Sequence, residues 1–225
     1  MKITKNAYTY KMRLVPANIL GIVIFVLLLL FTSLFGFTIS FNAPFFLTSM
    51  IMYFILHELL HGLGFLLGGT KLKNIVFGMA IEKGILYCQA FQEISKKNIL
   101  ISLQMPFMII GVITYVIGLV LNIDFLVLLS ILNLVGASMD IMMFVYISKL
   151  PKDITYSESG EPDEFVLISN ENLSKYKSMY FEITNTKKYK KSDYTFKDIK
   201  RLTISKASLI VVSILIILDL LVVLI

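Results

Sequence analysis

His57 and His61 are the only two histidines in this chain of 225 residues, and they stand four apart in the run His57-Glu58-Leu59-Leu60-His61. On a helix, residues four apart share a face, so both imidazoles can reach a single ion. Glu58 lies one step round, placed to take a proton from a water at the metal rather than to ligate it. Two imidazoles, a carboxylate and an open fourth position suit Zn2+. Two histidines scattered at random would fall four apart in roughly one chain in a hundred, so the spacing carries information. The plainer reading is a polar cluster that joins helices by hydrogen bonds. Cys88 is the sole cysteine, which excludes an intrachain disulfide and a thiolate-rich metal site.

The elements that must position these side chains are apolar and long. Hydrophobic residues make up 57% of the chain, charged residues only 16%, and the mean hydropathy is +0.81. A soluble domain of this size needs more polar cover. Hydropathy predicts an all-α integral membrane protein of about five spans, near 19–37, 45–67, 99–121, 125–149 and 207–225. Residues 1–150 then form a membrane-embedded core, 151–206 a polar and Lys-rich segment, and 207–225 a last span. The first run is too long for a secretory signal and no small-x-small cleavage pattern follows it, so it reads as a retained span. Between the second and third spans, two apolar runs at 74–81 and 85–91 flank Glu82-Lys83-Gly84, which predicts a small cytoplasmic β-hairpin. Pro106 bends the third span or marks its early turns. In the polar segment, 165–168 and 179–183 are candidates for short strands, and the remainder is expected to be partly ordered at best.

A third metal ligand must be a carboxylate, and the intramembrane candidates are Asp140 and Asp219. His57 and His61 lie ~18–24 Å along the helix from Phe45, and Asp140 lies ~22 Å from Phe125, so their depths coincide. Asp219 enters near the opposite interface. Depth favours Asp140 and leaves Asp219 or water as the other choices. Asn133, Gly136, Ala137 and Asp140 fall on one helical stripe, with small residues where another helix could approach. Asn133 could then bond substrate backbone or the neighbouring helix.

The net charge of +6 could suggest nucleic acid, but its distribution argues otherwise. All 21 Lys and Arg residues fall in 1–18, 68–98 and 149–207, and none in the connections 38–44 and 122–124. That is the positive-inside pattern: N-terminus cytoplasmic, C-terminus external, no nucleic-acid partner, and contact with anionic lipid. A lone cysteine and compact loops fit a bacterial plasma membrane.

These residues resemble the site-2-protease-like membrane zinc metallopeptidases, most closely the small family named "putative zincin peptidase". His57-Glu58-x-x-His61-Gly62 looks like its first motif, and Asn133-x-x-Gly136-x-x-x-Asp140 like its second, which supplies the third ligand. Tyr87-Cys88-Gln89 and Met105-Pro106 are similar to its intervening pattern. The chain departs from site-2 proteases in having Gly136 where proline is usual, one residue fewer before the aspartate, and Ile141 after it. The resemblance implies hydrolysis of membrane-associated proteins or peptides within or beside the bilayer. Two other readings stay open: a catalytically inactive zincin-like scaffold, and a metal or ion transporter using the same polar cluster.

Overall fold

The computed structural model describes residues 5–36, 43–80, 85–161 and 163–190. The expected last span, with Asp219, and the hairpin turn at 81–84 lie outside them. The chain opens with strand β1 (Asn6–Met12) and passes through Arg13 straight into helix α1 (Leu14–Leu34). Helix α2 (Ala43–Leu67) carries the paired histidines and is followed by strands β2 (Ile75–Ala80), β3 (Ile85–Ala90) and β4 (Ile94–Ser95). The third span is continuous but changes pitch: helix α3 (Lys96–Pro106), a π-helical stretch (Phe107–Ile113) and helix α4 (Thr114–Leu121). Helices α5 (Asp124–Gly136) and α6 (Ser138–Lys149) follow, then strands β5 (Thr155–Glu158), β6 (Glu164–Ser169) and β7 (Phe181–Lys188).

Three helices are long and apolar enough to cross a membrane, and α5 with α6 makes a fourth candidate bent by 52°. Their outward faces are apolar. Helix α1 exposes Ile19, Ile22, Leu27 and Leu30 and buries Ala17, Gly21 and Thr32. A soluble helix would do the reverse, whereas a lipid-facing one must do this.

The all-α expectation is overturned by a five-stranded antiparallel sheet of order β4-β5-β6-β1-β7, separate from the two-stranded sheet of β2 and β3. Strand structure is therefore not confined to a hairpin between spans. The N-terminal stretch, read from sequence only through its positive charge, holds an interior strand of this sheet. Its alternation Tyr8, Tyr10, Met12 puts one face on the helices, and Tyr8 pairs opposite Leu167 and Tyr10 opposite Phe165. The polar segment expected to be loosely ordered supplies β5, β6 and β7. The pairings of β1 with β6 and β7 join residues more than 150 positions apart and leave no local sequence signal, which is why hydropathy alone missed the strand at the heart of the sheet.

One apolar core joins sheet to helices: Tyr10, Phe165 and Phe181 pack against Tyr146 and Ile147 of α6, with Ile99 and Leu103 of α3. The Tyr146 hydroxyl bonds the Tyr176 carbonyl at 3.0 Å and the Tyr10 hydroxyl at 3.2 Å. Lys96 Nζ closes the end of α6 by donating to the Ser148 and Leu150 carbonyls at 2.8 and 2.6 Å. The sheet thus draws three chain segments to one side of the helices.

Candidate metal centre

Helix α2 reaches the centre of the molecule because it can approach α3 closely. A Cβ on Gly64 would lie 2.5 Å from the Ser102 Cα, and one on Gly68 would lie 2.8 Å from the Asn98 Cβ. These two glycines, four apart, face Ser102 and Asn98, also four apart, in a small-xxx-small contact. The Asn98 amide donates to the Gly68 carbonyl, and Ser102 Oγ donates to the His61 carbonyl at 2.9 Å.

The same contact fixes one imidazole. Pro106 has no N–H, so the carbonyl four residues earlier, that of Ser102, is released from the helix ladder. His61 Nδ1 donates to that carbonyl at 3.0 Å. The other imidazole is fixed through Asn133: His57 Nδ1 donates to Asn133 Oδ1 at 2.7 Å, and Asn133 Nδ2 donates to the Pro106 carbonyl at 3.0 Å. Asn133 is fully buried. Both ends of its amide are engaged within the protein, so it meets the site through His57.

With both Nδ1 hydrogens committed, the two Nε2 lone pairs converge. His57 Nε2 and His61 Nε2 are 3.1 Å apart, and Asp140 Oδ2 lies 3.0 Å from the first and 3.3 Å from the second. Three electron-rich atoms so close repel unless a cation lies among them. A tetrahedral zinc with ligands at ~2.0–2.1 Å separates adjacent ligands by ~3.3–3.4 Å, which this triangle approaches. The donor set therefore fits a metal ion, and among the described residues it is the one group so placed.

Asp140 arrives by way of a break in the fourth span. The expected continuous stripe from Asn133 to Asp140 is divided by the 52° bend at Gly136 and Ala137, with Asn133 in the last turn of α5 and Asp140 in the first turn of α6. Gly136 was expected to admit a neighbouring helix. A Cβ there would find only Phe54 at 3.8 Å, whereas the close approach of α2 to α3 lies at Gly64 and Gly68.

Glu58 is half-buried one step round α2, and its carboxylate accepts from the backbone N–H of Cys88 on β3. Strand β3 can do this because of its register. Phe91 N donates to the Asn74 carbonyl, so Gln89 and Tyr87 pair inward with β2 while Leu86, Cys88 and Ala90 turn their N–H and C=O groups outward. A cavity of about 370 Å³ runs from this edge past His57, Glu58, His61 and Asp140 to Asp163 and Glu164 on the sheet side. Its size is that of a ligand site.

Ser102, Gly64 and the role of Pro106 were not read from the sequence as parts of the site. The signal was there in one case, because a proline inside a span always releases the carbonyl four residues before it. No curated protein and no solved structure matches the chain. Residues 50–155, which hold every ligand and supporting group described so far, match the model of the family described as "Putative zincin peptidase", and over that stretch the chain is similar to that family.

Proposed function

We propose that this chain is a membrane-embedded zinc metallopeptidase that hydrolyses peptide bonds of membrane-associated proteins. The convergence of His57 Nε2, His61 Nε2 and Asp140 Oδ2, with both imidazoles oriented from behind, is the observation that carries the reading. Zinc held there supplies Lewis acidity, polarising a carbonyl and lowering the pKa of water. Glu58 accepts a proton from the attacking water, whose oxygen bonds to the peptide carbon. As the carbon–nitrogen bond breaks, Glu58 returns the proton to the leaving amine. Asn133 and the Ser102 carbonyl keep the two imidazoles in the tautomer that leaves Nε2 free.

The cavity that runs along β3 beside Glu58 supports a route for substrate. A membrane helix must unwind before its backbone can be cut, and the cavity offers room for an extended segment next to the metal ligands. Charge distribution supports a cytoplasmic sheet, with residues 1–18, 68–98 and 149–207 on the positive side. The division into a membrane core at 1–150, a cytoplasmic segment at 151–206 and a last span at 207–225 is part of this proposal, with β5, β6 and β7 of the second segment packed on the helical core.

Glu58→Gln tests the mechanism. Zinc content should stay at the wild-type level while cleavage of a membrane peptide falls to background. A variant that still cleaves would remove Glu58 from the chemistry.

A further inference from the structure

Glu158, the last residue of β5, lies three positions beyond the family match and has no part in the mechanism above. It is 4% exposed and lines the same cavity as the metal ligands. Alternation along β5 turns Tyr156 and Glu158 to the cavity and Ser157 to the other face. The Ala90 N–H donates to Glu158 Oε1 at 3.5 Å, and Tyr156 and Gln89 also bond the carboxyl. Its position is therefore fixed from three sides.

What it lacks among the described residues is a lysine or arginine partner. Among the described residues, none of the ion pairs reaches Glu158, and no lysine or arginine lines the cavity. Glu58, Asp140, Glu158, Asp163 and Glu164 all do. An acid-lined cleft in a chain of net charge +6 is a local arrangement, not a reflection of overall composition. A dication at the metal centre would offset Asp140 and Glu58, and Lys11 pairs with Asp163 at 3.8 Å, which leaves Glu158 and Glu164 as the acids of the sheet end.

The β3 edge sets a distance. Its outward N–H groups at Cys88 and Ala90 meet Glu58 and Glu158 respectively. Two residues along a strand span ~7 Å, so Glu158 stands about that far along β3 from Glu58, the length of about two residues of an extended peptide lying in the cavity. Resting on the peptidase reading, we propose that Glu158 selects substrates with a lysine or arginine side chain within about two residues of the scissile bond. Such residues crowd the cytoplasmic ends of membrane spans, which are the segments that would reach the sheet side of the cleft. Burial pushes the Glu158 carboxyl up to about 7, and an arriving ammonium or guanidinium would draw it into the ionised form.

The test uses zinc-loaded full-length protein in nanodiscs and twin membrane peptides. Each twin has an apolar span and a juxtamembrane segment in which one lysine, scanned along the segment, is replaced by glutamine. Wild type should cleave the lysine twin about tenfold faster in kcat/KM at one or two scan positions. Glu158→Gln, which keeps an acceptor for Ala90 N–H, should cleave both twins at the glutamine rate. Glu158→Lys should prefer a twin with glutamate. A lysine preference that survives in Glu158→Gln would overturn the assignment. Binding of fluorescent twins to Glu58→Gln separates this claim from the peptidase reading. If no twin is ever cut but the lysine twin binds about tenfold tighter, the peptidase reading fails and the cation site stands. Equal rates and equal binding in the wild-type and Glu58→Gln proteins overturn the cation site, whether or not the Glu158 variants fold.

Discussion

One missing backbone hydrogen, at Pro106, releases the Ser102 carbonyl for His61, and the Pro106 carbonyl in turn holds Asn133 against His57. Pro106 touches neither imidazole and still orients both. Pro106→Ala restores an N–H that competes for the Ser102 carbonyl, and zinc affinity should fall about 10–100-fold, the usual cost of losing a ligand's supporting partner. Asn133→Ala should cost a similar factor through His57. Competition against a metal chelator measures both, and unchanged affinity in the two variants would detach the supporting groups from the site. The histidine pair and Glu58 were legible in the sequence because their spacing alone specifies one helical face. The partners of their Nδ1 atoms were not, since Ser102 and Asn133 lie 41 and 76 positions from the histidines they hold.

At the scale of elements, the site depends on two departures from regular spans: the α2–α3 close approach and the α5–α6 bend. Gly64→Ala places a methyl 2.5 Å from the Ser102 Cα, which cannot move without displacing α3. Zinc binding should weaken and the melting temperature should drop. Gly136→Ala, with 3.8 Å of room, should be milder on both measures. Equal effects would mean that helix packing at Gly64 does not position the ligands. Hydropathy located the four apolar helical stretches among the described residues to within about five residues, because apolarity is a bulk property of each run. It could not register the bend, since α5 and α6 together read as one apolar stretch. The five-stranded sheet was the main loss: 165–168 and 179–183 stood as candidate strands, but β1, which joins β6 to β7, has partners more than 150 positions away and lies in a stretch whose lysines and arginine dominated the charge reading.

At the scale of the whole molecule, the sheet meets the cavity of the metal centre through Glu158. An acid with a folded pKa of about 7 and an ordinary value of 4.5 binds its proton more tightly when folded. Its contribution is therefore fully present below pH 4.5 and is lost as pH rises through about 7. The titratable groups facing it are Tyr156 on its own strand, Cys88 from β3 and His61 from α2. In metal-free protein, Glu158→Gln should gain thermal stability relative to wild type between pH 5 and pH 8. A difference that is flat across that range would mean that Glu158 is already paired.

The most direct test of the account is the metal content of detergent-purified protein, measured alongside His61→Ala and Asp140→Ala. We predict one zinc per chain, lost in both variants. Zinc retained in Asp140→Ala would contradict the ligand set. No zinc in wild type, under conditions that protect a bound metal, would reduce the centre to a polar cluster holding helices together.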